Sequence, residues 1–227
     1  MNILRKSLTI AALAIAAGYA SQARAEIFLS ATDGVNTGAA NDSGSPGTAS
    51  YSGTIGNFTA SIDIGAGFPA VGAASDPILD LTSLDLTTDT SGGTLTVSLT
   101  ETNFTTTAAA KEFLSSITGI YSNSGAQMTT YYDTANKEFG TGTLLSSGLS
   151  DNQASLVLVP PITGPYSLTE VLTITAGSNS LTSIDAAIVD APEPASLSLL
   201  GAALLALGMF GWRRTAIGHR RQPALLR

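Results

Sequence analysis

Four aspartates lie close together in the stretch "DPILDLTSLDLTTD", at Asp76, Asp80, Asp85 and Asp89. A pair of carboxyl groups is what a glycosidase needs, one as an acid and the other as a base or nucleophile. Asp80 and Asp85 are an odd number of residues apart, so in one unbroken strand they would face opposite sides of the sheet. We therefore expect solvated charges at edges and turns, and predict no catalytic residue. A carboxylate-dependent hydrolase remains the alternative.

Other catalytic chemistries need residue types that most of the chain lacks. There is no cysteine, and the one histidine, His219, lies near the C-terminal end. Ser-His-Asp and Cys-His mechanisms and His/Cys zinc sites are therefore excluded from the long segment ahead of it. We predict no metal and no cofactor. The alternative is a calcium ion in the loop 33–42, which offers the oxygen ligands Asp33, Asn36, Asn41 and Asp42 without an EF-hand pattern.

The charge of the chain is unevenly distributed. Residues 26–191 contain 16 acidic side chains against Lys111 and Lys137, which leaves a formal net charge of −14, and the other eight basic residues lie in the two ends. Phosphate backbones would repel such a domain, so nucleic-acid binding is excluded.

The middle of the chain has the period of β-strands. Apolar and polar residues alternate at 58–64 and at 94–100, and further strands are expected at 26–31, 78–88, 128–134, 154–159, 167–175 and 181–189. A hairpin is expected to join 80–89 to 94–103 across Ser91-Gly92-Gly93, and a short helix is expected at 107–117, capped by Thr107. These elements predict an all-β fold, a single β-sandwich or jelly-roll-like domain at 26–190 with one short helix. A β-solenoid is second, since no fixed repeat is present.

Five tyrosines could provide a platform for sugars: Tyr51, Tyr121, Tyr131, Tyr132 and Tyr166. Tyr131 and Tyr132 are adjacent, so in a strand one faces inward and the other outward. Because this part of the chain has no tryptophan, core packing is the simpler interpretation of these rings.

The N-terminal residues 1–25 have the pattern of a signal peptide. Arg5 and Lys6 precede an apolar stretch at 8–17, and Ala23 and Ala25 supply small residues before Glu26. Cleavage by signal peptidase is expected between Ala25 and Glu26. The remainder of the chain is therefore expected to be exported.

The C-terminal end combines three features. Pro192, Glu193 and Pro194 form a stiff, extended segment, because each proline disfavours helix at the residue before it. Residues 195–212 are 18 uncharged residues, which as a helix would span roughly 27 Å, enough to cross a bilayer core. Arg213 and Arg214 follow, and positive charge there favours a cytoplasmic location for the tail 215–227.

In this order, the features at 191–214 resemble the PEP-CTERM sorting signal of Gram-negative bacteria: Pro-Glu-Pro, a short hydrophobic helix and an arginine cluster. The resemblance implies processing by an exosortase, a membrane protease that cuts at or near the motif and passes its substrates to the cell surface or extracellular matrix. The chain departs from the pattern by continuing for 13 residues beyond Arg214. This type of segment has also been described on some ice-binding proteins, which need a flat, repeated threonine array. "TLTVSLT" supplies one short ladder of that kind, and nothing repeats it.

The sequence therefore predicts a non-enzymatic, exported protein that is held in the membrane by its C-terminal helix and then processed near Pro192-Glu193-Pro194. Its partners are expected to be signal peptidase and an exosortase-type protease. Two alternatives remain open: a module that binds extracellular polysaccharide, and a surface protein that stays permanently anchored.

Overall fold

The computed structural model describes residues 25–42, 44–105, 107, 109–191 and 203–205. Within them the chain is built mostly of β-strands, as predicted. Ten strands form: β1 Ile27–Thr32, β2 Thr37–Asn41, β3 Thr48–Ile55, β4 Phe58–Ala66, β5 Ile78–Thr88, β6 Gly93–Phe104, β7 Lys111–Asp133, β8 Thr143–Leu149, β9 Gln153–Val159 and β10 Tyr166–Asp190.

The predicted helix at 107–117 is wrong, because this segment leads into the long strand β7. Phe113, Ser115 and Ile117 are all buried while the residues between them are half-buried, which is the period of a strand. Thr107 does not cap a helix. Its hydroxyl accepts a hydrogen bond from the backbone N–H of Ile162 at 2.9 Å, and its own N–H donates to the Ile162 carbonyl at 3.0 Å.

The predicted hairpin of 80–89 with 94–103 is also wrong. β5 and β6 do not pair with each other, and both instead run antiparallel to β10. The first half of β10 (166–176) pairs with β6, and its second half (181–189) pairs with β5. The glycine turn therefore continues the chain in the same direction, past a bend in the sheet, and does not reverse it.

The other edge of β10 shows the same arrangement. β7 pairs with β10 along both halves, and β8 and β9 then pair with the two ends of β7. The sheet bends along one line, which we call the fold line. This line passes through β7 at 123 and through β10 at 177–180, and through the β5–β6 connection at 89–92 and the β8–β9 connection at 150–152. Asn123, Asn152, Asn179 and Gly92 adopt positive φ there, a conformation that Asn and Gly tolerate best.

The fold line divides the sheet into two antiparallel halves. Half-sheet I has the strand order β9, β7 (start), β10 (end), β5, β4, β3, and half-sheet II has the order β8, β7 (end), β10 (start), β6, β1, β2.

The two half-sheets pack face to face around one hydrophobic core. The Ser115 hydroxyl of half-sheet I lies 2.8 Å from that of Thr130 in half-sheet II, with both side chains buried. The rings of Phe113 and Tyr166, one from each half, are 6.4 Å apart at their centroids. Residues 27–190 thus form a β-sandwich made by folding one sheet over itself.

This compact unit ends at Asp190, and the residues after it belong to a second unit. Of the predicted membrane helix at 195–212, residues 203–205 are helical, and the others lie outside the described residues. No helix within the described part of the chain has both the length and the apolar content to cross a bilayer.

Candidate functional site

The aspartates singled out by the sequence are distributed over one outer surface. Asp80 and Asp85 do not face opposite sides of the sheet. Ser83 adopts a φ of 56° at a β-bulge, and this extra residue shifts the inward-outward alternation of β5 by one position between the two aspartates. The Ser83 N–H donates to the Asp185 carboxylate at 2.8 Å. Both aspartates therefore lie on the outer face of half-sheet I, near Asp185. Asp76 and Asp89 are exposed in the connections before and after β5.

The candidate calcium loop at 33–42 consists of a turn at 33–36 followed by strand β2. The Asp33 carboxylate accepts hydrogen bonds from the Asn36 side chain and from the N–H groups of Val35 and Asn36, and these bonds lower its pKa. Strand β2 includes Asn41 as its last residue and separates this turn from Asp42. Across the described residues, no group of three or more His, Cys, Asp or Glu side chains could hold a metal ion.

The five tyrosines do not form a platform. Tyr166 is fully buried beside Phe104 and Phe113, and Tyr51 and Tyr121 pack against the core. Tyr132 also packs against the core, whereas Tyr131 is paired on the outer face of half-sheet II, so the expected inward and outward pair is present.

The predicted processing residues lie mostly outside the described residues. These are Ala23, Pro192, Glu193, Pro194, Arg213 and Arg214. Ala25 is buried, and the carbonyl of Glu26 accepts a hydrogen bond from Thr102 N–H at 3.0 Å immediately before β1. At the other end, β10 remains paired as far as Asp190, two residues before the Pro-Glu-Pro motif.

Sequence reasoning missed a broad uncharged surface on the outer face of half-sheet II. One row of register partners crosses five strands, with a threonine on each of the first four. That row is Thr37, Thr32, Thr96, Thr173 and Gln127, and the neighbouring rows are Ala39, Ser30, Ser98, Val171 and Thr129, then Thr94 and Thr175. We call these residues the hydroxyl face, and none of them is charged.

The ladder "TLTVSLT" is therefore wider than the sequence predicts. Its threonines are continued sideways by residues of β1, β2 and β10, which are far apart in the chain and share a row only through sheet register. At one end of the face, the hydroxyls of Thr100 and Thr169 are 2.9 Å apart and fully buried. The polar side of "TITAG" in β10 was the one further signal of this face available in the sequence.

A groove borders the hydroxyl face at the same end. It has a volume of about 450 Å³ and lies between the outer side of β1 and β2 and the loop 134–142. Phe28 and Asn41 line it from the strands, and Glu138 and Phe139 line it from the loop. Phe139 has a φ of 49°, an uncommon conformation for a bulky residue.

The loop 134–142 is held in place by side chains on both sides of it. The Asp133 carboxylate accepts a hydrogen bond from Ala135 N–H at 2.8 Å. The Asn136 side chain bonds to Asn103 twice, at 2.8 and 2.7 Å, and Ser167 donates to the Lys137 carbonyl at 2.9 Å. The groove wall is therefore pre-formed by the fold.

The largest departures of carboxyl pKa values occur in the core. Burial raises the pKa of Glu101 to about 9, although its carboxylate accepts a 2.9 Å hydrogen bond from Phe68 N–H. Burial also raises the pKa of Glu170 well above that of an ordinary glutamate, with a further contribution from Asp80. The register places the two glutamates diagonally on one face of neighbouring strands. Both have 0% exposure, so a substrate cannot reach them in the folded domain.

The comparisons with known proteins bear mainly on the C-terminal end. A family model described as the PEP-CTERM protein-sorting motif matches residues 190–214, which confirms the resemblance seen in the sequence. No curated protein matches the chain.

Several solved structures are distantly similar. TmCBM61 in complex with β-1,4-galactotriose is 10% identical, covering 60% of this chain and 90% of its own, with a TM-score of 0.29. A family 6 carbohydrate-binding module is 17% identical, covering 62% and 87%, with a TM-score of 0.26. The enzymatically active domain of tailspike protein 4 from bacteriophage CBA120 is 13% identical, covering 58% and 19%, with a TM-score of 0.27. Likenesses this low say nothing about ligand or activity.

Proposed function

We propose that this chain, which carries a PEP-CTERM protein-sorting motif at residues 190–214, is a non-enzymatic exported protein that is cut at or near the motif and delivered to the cell surface or extracellular matrix. The motif itself supports export and C-terminal sorting. The lack of enzymatic activity, the cut, the proteases that process the two ends, and delivery to the surface or matrix belong to the proposal.

The position of the motif carries the proposal. The last paired residue of the sandwich is Asp190, and the Pro-Glu-Pro segment of the motif begins at Pro192. A cut at or after Ala191 therefore leaves every strand of the domain intact. We expect the protease to bind the Pro-Glu-Pro segment, because a proline disfavours helix at the residue before it.

Peptide mapping of the protein recovered from envelope and culture medium tests this proposal. We expect an N-terminus at Glu26 and a C-terminus close to Pro194. In the double variant Pro192→Ala/Pro194→Ala we expect peptides as far as Arg213 to persist in the envelope. The matched control is Pro160→Ala/Pro161→Ala, which changes two prolines between β9 and β10. Wild-type protein that keeps its C-terminal peptides in the envelope would instead be permanently anchored.

A second function is favoured by the hydroxyl face, namely binding of an extracellular polysaccharide. An exported acidic domain with one broad uncharged surface can bind a polymer whose own polar groups are hydroxyls. Co-sedimentation of the processed protein with the producing cells' polysaccharide, reversed by enzymatic digestion of the polymer but not by salt, is the expected result. Release by salt alone would indicate an ionic association.

A further inference from the structure

We infer that the hydroxyl face and its bordering groove form one binding site for an uncharged polysaccharide, with Phe28 and Phe139 holding a sugar ring and the serine and threonine rows binding the chain beyond it. This inference rests on the second function proposed above and adds the location of the site and the class of polymer.

Charge selects the class of polymer. The segment 26–191 has a formal net charge of −14, so it repels acidic polysaccharides at long range. The rows of the hydroxyl face contain no charged side chain, and the adjoining loop contributes one cation, Lys137, beside one anion, Glu138. The site therefore has no cluster of cations to pair with uronate or sulfate groups.

Hydrogen-bonding capacity matches a neutral sugar chain. Serine and threonine hydroxyls both donate and accept, as sugar hydroxyls do, and Gln127 at the end of the threonine row adds two donors and an acceptor. Neighbouring strands are about 4.8 Å apart, and residues on one face of a strand recur about every 6.7 Å. Ala39 and Val171 interrupt the polar side chains of this face, and the Thr32 hydroxyl is engaged by the Asn36 carbonyl and the Gly34 N–H. An extended polymer can therefore make repeated hydrogen bonds to the serine and threonine hydroxyls on β6, β7 and β10.

The groove supplies aromatic rings, which the hydroxyl face lacks. Phe28 and Phe139 are each half-buried, so part of each ring is open to the groove, where the apolar side of a sugar ring can pack against it. Glu138 can accept hydrogen bonds from sugar hydroxyls at the groove's rim. Apolar rings with a few placed polar groups are the usual composition of a small-ligand site.

The opposite surface is a natural comparison. The outer face of half-sheet I also carries hydroxyls and a shallow groove of about 430 Å³. The described residues that line this second groove include Asp85 and no aromatic side chain, and Asp80 and Asp185 lie on the same face. It offers hydroxyls with negative charge and without rings, and we assign no binding to it.

Native gel electrophoresis of the protein purified from the producing cells tests the inference, in gels that contain dextran, laminarin, galactan or the cells' own neutral polymer. Alginate serves as the acidic polymer. We expect at least one neutral polymer to retard the protein and alginate not to. Phe139→Ala and Ser98→Asp are each expected to weaken that binding at least tenfold, with Phe139→Tyr retaining it. Thr59→Asp places the same charge on the outer face of half-sheet I and is expected to leave binding unchanged.

The outcomes separate the location of the site from the function. Binding that survives both Phe139→Ala and Ser98→Asp, or that is lost equally in Thr59→Asp, overturns the location while the polysaccharide function stands. Absence of binding to every polymer, alginate included, overturns both, and leaves the sorting proposal untouched. Retardation by alginate alone overturns the assigned class of polymer. Circular dichroism melts of each variant show whether the domain remains folded.

Discussion

The ammonium group of Lys111, the first residue of β7, forms an ion pair with the carboxylate of Asp190, the last residue of β10. The side chains are 19% and 11% exposed, so the pair is largely shielded from solvent. The backbone N–H of Asp190 also donates to the Pro77 carbonyl at 3.0 Å. The last residue of β10 is therefore held both by an ion pair and by a backbone hydrogen bond, two residues ahead of Pro192 in the sorting motif.

Replacing Lys111 with methionine should loosen the end of β10. The variant keeps the aliphatic stem but loses the ion pair, so we expect a loss of stability of about 0.5–1 kcal/mol. Amide hydrogen exchange at 186–190 should accelerate three- to fivefold, with little change at 166–176. Lys137→Met, in a loop of half-sheet II, is the control. Unchanged exchange at 186–190 would show that the ion pair does not hold the strand end.

Glu101 should make the domain less stable as the pH rises. The pKa of this carboxyl is about 9 in the folded domain against 4.5 for an ordinary glutamate, because burial penalises the charged form. Folding therefore takes up a proton between these two values. The group's contribution to stability is fully present below pH 4.5 and is lost at up to about 1.4 kcal/mol per pH unit as the pH approaches 9.

Glu101→Gln tests this dependence, because the amide has nearly the same shape and does not titrate. We expect the variant to be more stable than wild type at pH 7 by as much as about 3 kcal/mol, with the difference disappearing near pH 4.5. Urea unfolding between pH 4.5 and 9 measures both curves. Parallel curves would contradict the prediction. Glu112→Gln, on the outer side of β7, is the matched control, and Glu170→Gln should act in the same direction as Glu101→Gln.

The hydroxyl of Thr88 should stabilise the bend of β10 at the fold line. Its hydroxyl donates to the Gly177 carbonyl at 2.7 Å and accepts from the Ser180 N–H at 2.9 Å, so it joins β5 to the bend in β10. Thr88→Val keeps the shape and leaves two backbone groups without this partner, which should cost about 2–3 kcal/mol. Thr87→Val, one residue earlier and exposed, should change stability by about 0.5 kcal/mol or less. Equal effects in urea unfolding would mean that the bend does not depend on this hydroxyl.

Asp133 should act as a positioning residue for the groove. Its carboxylate bonds to Ala135 N–H, and Gly140 and Gly142 pack so closely against its side chain that neither has room for a Cβ atom. We expect Asp133→Ala to speed hydrogen exchange across 134–142 and to weaken binding of the neutral polymer severalfold, although Phe28 and Phe139 remain. Asp133→Asn keeps an acceptor oxygen and should restore both properties. A purely structural role would lower the melting temperature without separating these two variants.

Local patterns predicted where many strands lie but not how they pair. The strand predicted at 78–88 is β5, and the two predicted at 167–175 and 181–189 are the halves of β10, with the gap between them at the fold line. Glycine permits the positive φ angles of a hairpin turn and of a bend alike, so Ser91-Gly92-Gly93 predicts a chain reversal where the structure has a bend. Strands β2 and β3 lie in a Gly/Ser/Asn-rich stretch that reads as loop, because their pairing comes from neighbours and not from their own propensity.

The candidate site was beyond reach of the sequence for a related reason. Thr32, Thr96 and Thr173 are spread over more than half of the chain, and only the register of β1, β6 and β10 puts them in one row. Phe139 lies in a turn with no periodicity, and its place beside Phe28 depends on contacts made by Asp133 and Asn136. The sorting motif was readable because its residues are consecutive.

The long strand β10 has a mechanical consequence. Its first half carries Thr173 and Thr175 of the hydroxyl face, and its second half ends at Asp190, two residues before Pro192 of the sorting motif. In the proposed state, with polymer bound to the hydroxyl face and the C-terminal segment held in the envelope, a pull between the two would run along this one strand. Its neighbours on both edges are antiparallel, with hydrogen bonds perpendicular to the strand. Such a load would act on many interstrand hydrogen bonds at once and would not break them one at a time. The pairing of β10 on both edges therefore suits this strand to resist the pull.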